Sequence, residues 1–310
     1  TCKEAPNVYD IVIIGAGTAG LTAAVYGARA GKSVLVVEAE NFGGQITASP
    51  RVENYPGIAS ISGNEFAANL LDQALGLGVQ AELERVIGVT CEQGHKLVIT
   101  EENAYPCLSV IVAAGVKHRT LGLAREAELT GEGVSYCAVC DGAFFKGRDV
   151  AVVGGGSTAV SDALFLSEYC RRVTLIHRRE QFRAEEALVR QLRLRKNVDF
   201  LLDSRVTALQ GGSSLEGVRV ENLRTQEERF LAVEGLFVAV GQVPDSSAFA
   251  ELLDLDAAGY LIAGEDCRTS CEGIFAAGDC RTKQVRQLAT AAGDGAVAGL
   301  AAVQYIQSFN

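Results

Sequence analysis

The stretch Tyr9-Asp-Ile-Val-Ile-Ile14, followed without a break by Gly15-Ala-Gly17-Thr-Ala-Gly20, decides the fold of this chain. A short apolar run that stops at a glycine turn reads as a buried parallel strand. The residues to about Ala30 then read as a helix, and Ser33-Val-Leu-Val-Val-Glu38 as a second buried strand. The layout recurs further on: Asp149-Val-Ala-Val-Val153, Gly154-Gly-Gly156-Ser-Thr-Ala159, a helical stretch to about Tyr169, then Arg172-Val-Thr-Leu-Ile-His177. Two such βαβ units predict an α/β protein with two Rossmann-like, three-layer dinucleotide-binding domains.

Outward from these units, residues 63–80 read as helical and 85–115 as short strands ending in Val110-Ile-Val-Ala-Ala-Gly115. Leu236-Phe-Val-Ala-Val-Gly241 closes the second unit in the same way. Gly273-Ile-Phe-Ala-Ala-Gly-Asp279 and a last helix from about Gln287 follow. This tail has no glycine loop of its own, so it is expected to return to the first domain and make the second an insertion.

The 310 residues leave room for about two domains. With 48% apolar and 21% charged residues, the composition is globular and excludes disorder. No apolar run reaches the roughly 20 residues of a membrane span. The start TCKEAPNVYD has no apolar signal core, which leads us to expect a cytoplasmic protein. A net charge of −10 argues against nucleic-acid or anionic-membrane partners. Nine cysteines are too few for a disulfide scaffold, so close pairs point to redox or metal chemistry.

In the first loop Gly15 permits the turn, Gly17 lets backbone approach a pyrophosphate, and Gly20 lets helix and strand pack closely. The helix that opens at Thr18 and Ala19 turns its N-terminus to the phosphates. Glu38, at the end of the second strand, can accept hydrogen bonds from a ribose diol and would repel a 2′-phosphate. This unit is therefore expected to hold FAD or NAD rather than NADP; the alternative for Glu38 is a solvated strand end. In the second loop Gly154 and Gly156 stand at the same spacing, and Ser157 and Thr158 open the helix. Its strand ends in His177-Arg178-Arg179, followed by Arg183, and guanidinium groups suit a 2′-phosphate. Residues 171–196 carry nine Lys or Arg against three Glu. Arg190, Arg193, Arg195 and Lys196 among them read as a solvated helix face. Two unlike dinucleotides in one chain imply an electron relay.

Cys137-Ala-Val-Cys140-Asp141 lies just ahead of the second loop. A Cys-x-x-Cys loop can close a short disulfide with a thiolate of lowered pKa, and Asp141 can supply or take a proton. The alternative is half of a zinc site, with Cys267 and Cys271 as the other half. Cys2, Cys91, Cys107, Cys170 and Cys280 read as apolar fillers or surface thiols, and His95 and His118 have no visible partners.

Taken together, GAGTAG (15–20), GGQ (43–45), VENYPG (52–57), CAVCDG (137–142), GGGSTA (154–159), HRREQFRA (177–184), VAVGQVPD (238–245), GIFAAGD (273–279) and RQLATAAGDG (286–295) resemble the bacterial-type, low-molecular-weight thioredoxin reductases. The resemblance spans essentially the whole chain. It implies FAD on residues 1–118 and 247–310, and NADPH on residues 119–246. Beyond the first loop it places Gly43, Gly44, Gln45, Asn54, Val86, Ala114 and Gly115 at the flavin nucleotide. Gly278, Asp279, Arg286, Gln287 and Leu288 are placed there as well. It assigns NADPH to the second loop with His177, Arg178, Arg179 and Arg183. It makes Cys140 the thiol nearer the flavin, Cys137 the one that attacks the partner disulfide, and Asp141 the acid/base group. It further implies thioredoxin or a similar redoxin as partner, a homodimer, no resident metal, and an NADPH domain that swivels about Val116–Arg119 and Val243–Ser246. Ser161-Asp162 departs from the paired acidic residues of relatives, and Ala113-Ala114-Gly115 from their Ala-Thr-Gly. Two other enzymes of the same fold stay open, a dithiol oxidase using O₂ and a reductase serving a peroxidase system. So does a zinc-stabilised nucleotide sensor without turnover.

Overall fold

The computed structural model describes residues 8–92, without the Glu92 side chain, and 95–309; Cys2 lies outside them. Along the chain come β1 (Tyr9–Ile14), α1 (Thr18–Arg29), β2 (Val34–Glu38), α2 (Gly63–Gly76), β3 (Gln80–Leu83), β4 (Val86–Glu92), β5 (His95–Thr100), β6 (Ala104–Val112) and β7 (Val116–His118). The middle holds β8 (Val134–Ser135), α3 (Ala138–Asp141), β9 (Asp149–Val153), α4 (Ser157–Ser167), β10 (Arg172–Ile176), α5 (Glu186–Arg193), β11 (Val198–Leu201), β12 (Ser204–Gln210), β13 (Gly217–Asn222), β14 (Glu228–Leu231) and β15 (Gly235–Val238). The chain closes with β16 (Gln242–Pro244), β17 (Ile274–Ala276) and α6 (Leu288–Gln307).

These elements form two compact units. One takes the residues up to Lys117 and those from Val243 onward; the other is His118–Gln242. The return crossing falls at 242/243, ahead of the 246/247 boundary read from sequence. There β16 pairs with β7, and the Asp245 amide bonds the Gly115 carbonyl, so the chain has already rejoined the first unit.

In the first unit the sheet order is β3-β2-β1-β6-β5-β4. The long β6 pairs with antiparallel β5 through its first half and with parallel β17 through its second. Strand β1 is buried on both faces, as a central parallel strand must be. Ile11 and Ile13 enter one cluster with α1 and α6, and Val12 and Ile14 another with Phe249, Leu253 and Leu261. Small residues let α6 lie close on α1: a Cβ at Gly295 would come within 2.2 Å of the Ala19 carbonyl oxygen. Helix α2 is shorter than the 63–80 stretch expected. It ends at Gly76, and Gly78 then takes a left-handed φ of 87°, which releases the chain into β3.

In the second unit the parallel sheet order is β11-β10-β9-β15-β8. One face packs against α4 and α5 around Leu166, Leu175 and Phe237. The other packs against the antiparallel β12-β13-β14 sheet through Val206, Val218 and Val220. Both units are therefore layered α/β folds, with a glycine loop at the carboxyl end of the central strand, where such sheets bind ligands.

Candidate active site

In the first unit Gly15 has a φ of 102°, and a Cβ there would sit 2.4 Å from the Ala113 carbonyl oxygen. A Cβ on Gly20 would lie 1.9 Å from the Gly15 oxygen, so helix and loop touch at that point. Beside Gly17 the space is open, with no neighbour nearer than 4.0 Å. Gly17 starts α1 without a side-chain cap or an acidic residue in the first turn, which leaves the helix N-terminus for an anion.

A cavity of about 390 Å³ opens there. Its wall includes Gly15, Gly17, Thr18, Ala19, Glu38, Gly43, Gly44, Gln45, Val86, Ala114, Gly115, Gly278, Asp279, Gln287 and Leu288. The Glu38 carboxylate accepts the Ala16 amide at 2.7 Å and the Glu40 amide at 2.9 Å, which fixes it at the strand end. The Gln45 amide donates to the Val116 carbonyl. Asp279 Oδ1 is buried with no partner in the wall, and burial raises this carboxyl. An orphaned acceptor of this kind fits a hydroxyl-bearing ligand.

Three residues expected here do not line the cavity: Gly20, which packs on the Gly15 carbonyl, Asn54 and Arg286. Asn54 donates to Gln287 at 3.2 Å and stands behind it. Arg286 bonds the carbonyls of Asp279, Arg281 and Lys283 and covers the Tyr260 ring at 4.3 Å, so its charge serves the loop. Conversely, Arg85, Lys117, Glu40 and Asp245 line the wall, although none of them was expected there. Lys117 bonds Glu40 at 2.7 Å and faces Asp245 at 3.7 Å. Asp294 on α6 was also missed. It accepts from Arg281, Lys283 and the Gly278 amide, and so holds the loop that carries Asp279. Burial alone would raise its carboxyl, but the two cations outweigh that and hold it low.

In the second unit a Cβ on Gly154 would lie 2.4 Å from the Ala239 oxygen and 2.6 Å from the Ala159 methyl. Gly156 has open space beside it and starts α4 without a side-chain cap. The adjoining cavity measures about 840 Å³ and is lined by Gly154, Gly156, Thr158, His177, Arg178 and Arg183, with Arg119 and Arg205 added. Ser157 and Arg179 lie outside that lining. His177 is buried against Gly155 and stacks on Phe182, with Nε2 3.1 Å from the Gln181 oxygen. Burial lowers its pKa, so it serves as a neutral packing group that holds the arginine turn on the glycine loop. Arg178, Arg179 and Arg183 are exposed, and among the described residues none is in an ion pair. Neighbouring arginines are paired: Arg171 with Asp149, Arg195 with Glu168, Arg205 with Glu221. In a chain of net charge −10, three unneutralised guanidinium groups beside an open helix N-terminus fit a dianion.

Cys137 and Cys140 are joined as a disulfide, with Cα atoms 5.3 Å apart, at the start of α3. The Cys140 amide donates to Cys137 Sγ at 3.2 Å. Ser135, which no motif pointed to, ties the turn together. Its buried hydroxyl accepts the Cys137 amide at 3.1 Å and donates to Asp141 Oδ2 at 2.6 Å. Burial raises the Asp141 carboxyl, and the Ser135 hydrogen bond partly offsets this. The zinc alternative finds no ligand set: among the described residues no group of three or more His, Cys, Asp or Glu could hold a metal ion. Asp162, one of the departures, is partly buried and pushed up to about 6 by desolvation.

The family model for pyridine nucleotide-disulphide oxidoreductases matches residues 9–296. The chain belongs to this family. Within it, a thioredoxin reductase of Listeria monocytogenes is 42% identical over 302 residues, 97% of this chain and 95% of that one. A bifunctional thioredoxin reductase/thioredoxin of Mycobacterium leprae is 41% identical over 97% of this chain and 66% of its own length. The crystal structure of thioredoxin reductase from Streptococcus pyogenes superposes with a TM-score of 0.95 at 41% identity, covering 98% of this chain and all of that one. Membership of the family makes the chain a flavin- and pyridine nucleotide-dependent oxidoreductase, with relatives named thioredoxin reductase along nearly its full length. No helix among the described residues is long and apolar enough to cross a membrane.

Proposed function

We propose that this chain takes electrons from NADPH, passes them through FAD to the Cys137–Cys140 disulfide, and delivers them to the disulfide of thioredoxin or a similar small redoxin. The observation that carries this reading is the closed Cys-x-x-Cys pair with a partly buried carboxyl beside it, held by Ser135. FAD belongs to the first cavity. There the fixed Glu38 would accept from a ribose diol, the α1 N-terminus would hold the pyrophosphate, and the orphaned Asp279 oxygen would accept from a flavin-chain hydroxyl. NADPH would belong to the second cavity, where Arg178 and Arg183, with the exposed Arg179 next in the chain, would hold the 2′-phosphate. When bound, the flavin supplies two-electron transfer between a nicotinamide and the disulfide.

Once reduced, Cys137 is the attacking thiol. The Cys140 amide aimed at its sulfur favours the thiolate there. Its sulfur bonds one sulfur of the partner disulfide, and the other leaves as a thiolate and takes a proton. The Cys140 thiolate then attacks Cys137 Sγ, re-forms the internal disulfide and releases the partner's second thiol. Asp141 stays protonated to a higher pH than an ordinary carboxyl, so it can give a proton to a departing sulfur and take one back. The family resemblance alone supports a cytoplasmic homodimer and a swivel about the paired β7 and β16.

The test is NADPH-driven reduction of thioredoxin by the holoenzyme and by Cys140→Ser. Wild type is expected to turn over, while the variant still bleaches its flavin with NADPH and reduces no thioredoxin. Turnover retained in Cys140→Ser would reject the assignment. Turnover with O₂ in place of a redoxin would move the reading to the oxidase.

A further inference from the structure

A second pair of cysteines meets on the first unit, away from the wall of its cavity. Cys91 lies on β4, the edge strand of the sheet, and is exposed. Cross-strand register places it opposite Lys96 on β5, which in turn is opposite Cys107 on β6. Val89, two residues before Cys91 on the same face, packs into the cluster that also holds Val98, Cys107, Val110 and Ile274. Cys271, in the turn before β17, packs against that same cluster. Lys96 is buried and donates from Nζ to the Tyr305 hydroxyl at 3.1 Å. A Cβ built on Gly273 would come within 2.6 Å of Nζ, so the ammonium lies beside the turn that carries Cys271. Both thiols are free; burial and the neighbouring Cys91 push the Cys271 thiol up, while the Lys96 ammonium favours its charged form.

We propose that Cys91 and Cys271 form a second dithiol, distinct from Cys137–Cys140, which a hydroperoxide closes into a disulfide. Cys91 is the exposed member and meets the peroxide. Its thiolate sulfur attacks one peroxide oxygen; the S–O bond forms, the O–O bond breaks, and hydroxide leaves to become water. The resulting sulfenic acid lies against Cys271. The Cys271 sulfur then attacks the Cys91 sulfur; the S–S bond forms and the S–O bond breaks. The departing hydroxide takes the proton that Cys271 gives up. Two thiols lose two electrons, and one hydrogen peroxide becomes two waters. Burial and the neighbouring sulfur raise the Cys271 thiol, which suits a resolving group, while Lys96 favours its thiolate at the second step. The bridge would tie the β4 edge to the turn ahead of β17, two segments far apart in the chain, and so restrict the unfolded state.

The test treats the holoenzyme with a few equivalents of hydrogen peroxide, blocks remaining thiols, and maps tryptic peptides without reduction. A disulfide between peptides 86–96 and 269–281 is expected through Cys91 and Cys271, and it should vanish on treatment with dithiothreitol. Cys91→Ser should abolish the cross-link. Cys271→Ser should leave Cys91 as a sulfenic acid that dimedone traps in at least several-fold greater yield than in wild type. Peroxide should raise the melting midpoint of wild type and of neither variant. Both variants should keep NADPH-driven turnover, so the result is read separately from the proposed reductase activity. The proposal is overturned if Cys91 goes on to sulfinic acid without the cross-link, bridges to a second chain instead, or does not react.

Discussion

In the first unit Gly15 ends β1, and the strand after α1 finishes in Glu38, tied to two backbone amides. In the second, Gly154 ends β9, and the strand after α4 finishes at His177-Arg178-Arg179, whose arginines are unpaired among the described residues. The turns are alike because the steric demand is alike: each glycine's missing Cβ makes room for a carbonyl 2.4 Å away. On the function proposed above, the strand ends differ because they would face different ligands. A fixed carboxylate suits a diol, and free guanidinium groups suit a phosphate. On that reading backbone sterics set the place of a nucleotide, and charge at one strand end sets which nucleotide it is.

The largest effects should come from breaking either turn. Gly15→Ala forces a Cβ onto Ala113 and strains a φ of 102°. We expect it to cost at least about 2 kcal/mol of stability and to yield protein without flavin. Gly154→Ala should instead leave the flavin spectrum intact and abolish its reduction by NADPH. Absorbance spectra of the two purified variants make the comparison. Flavin loss in Gly154→Ala would break the division of labour.

The strand ends give the next contrast. Charge-assisted hydrogen bonds are worth about 1.5–3 kcal/mol, so Arg178→Ala and Arg183→Ala should each raise the KM for NADPH roughly 10- to 150-fold. The KM for NADH should barely move. Arg195→Ala, on the paired solvent face of α5's C-terminal end, should change stability by less than about 1 kcal/mol and leave both KM values unchanged. Steady-state kinetics with the two nucleotides separates the cases.

A smaller effect is expected at Ser135. Its hydroxyl lowers Asp141 against the pull of burial, so Ser135→Ala should let the Asp141 carboxyl rise further. The protonated form then persists to higher pH. The limb of the thioredoxin-reduction pH profile that reports Asp141 should move upward, with flavin reduction by NADPH unchanged. An unmoved limb would separate Asp141 from proton transfer.

Much of this was legible in the sequence because it rests on local rules. A glycine forced to positive φ after an apolar run, a carboxylate or a basic block at a strand end, and Cys-x-x-Cys each carry their reason within a few residues. What escaped depends on chain segments distant in sequence. Ser135 is an ordinary serine until β8 sets it under Asp141. Lys117 and Asp245 meet at the cavity only because the chain leaves and rejoins the first unit there. Asp294 holds the Gly278 loop from a helix, and Arg286 turned its charge onto carbonyls and Tyr260 rather than into the cavity. The 63–80 stretch looked helical throughout because its apolar spacing continues past Gly76, and only the left-handed Gly78 ends it.

The central claim is that electrons entering at the arginine-rich loop leave through Cys137–Cys140. Anaerobic titration of the holoenzyme with NADPH, followed by flavin absorbance and by thiol counting, tests it most directly. The account predicts loss of flavin colour together with two new thiols per chain, assigned by alkylation to Cys137 and Cys140, and far weaker bleaching at equal NADH. A bleached flavin with no gain in thiols, or equal response to the two nucleotides, would contradict it.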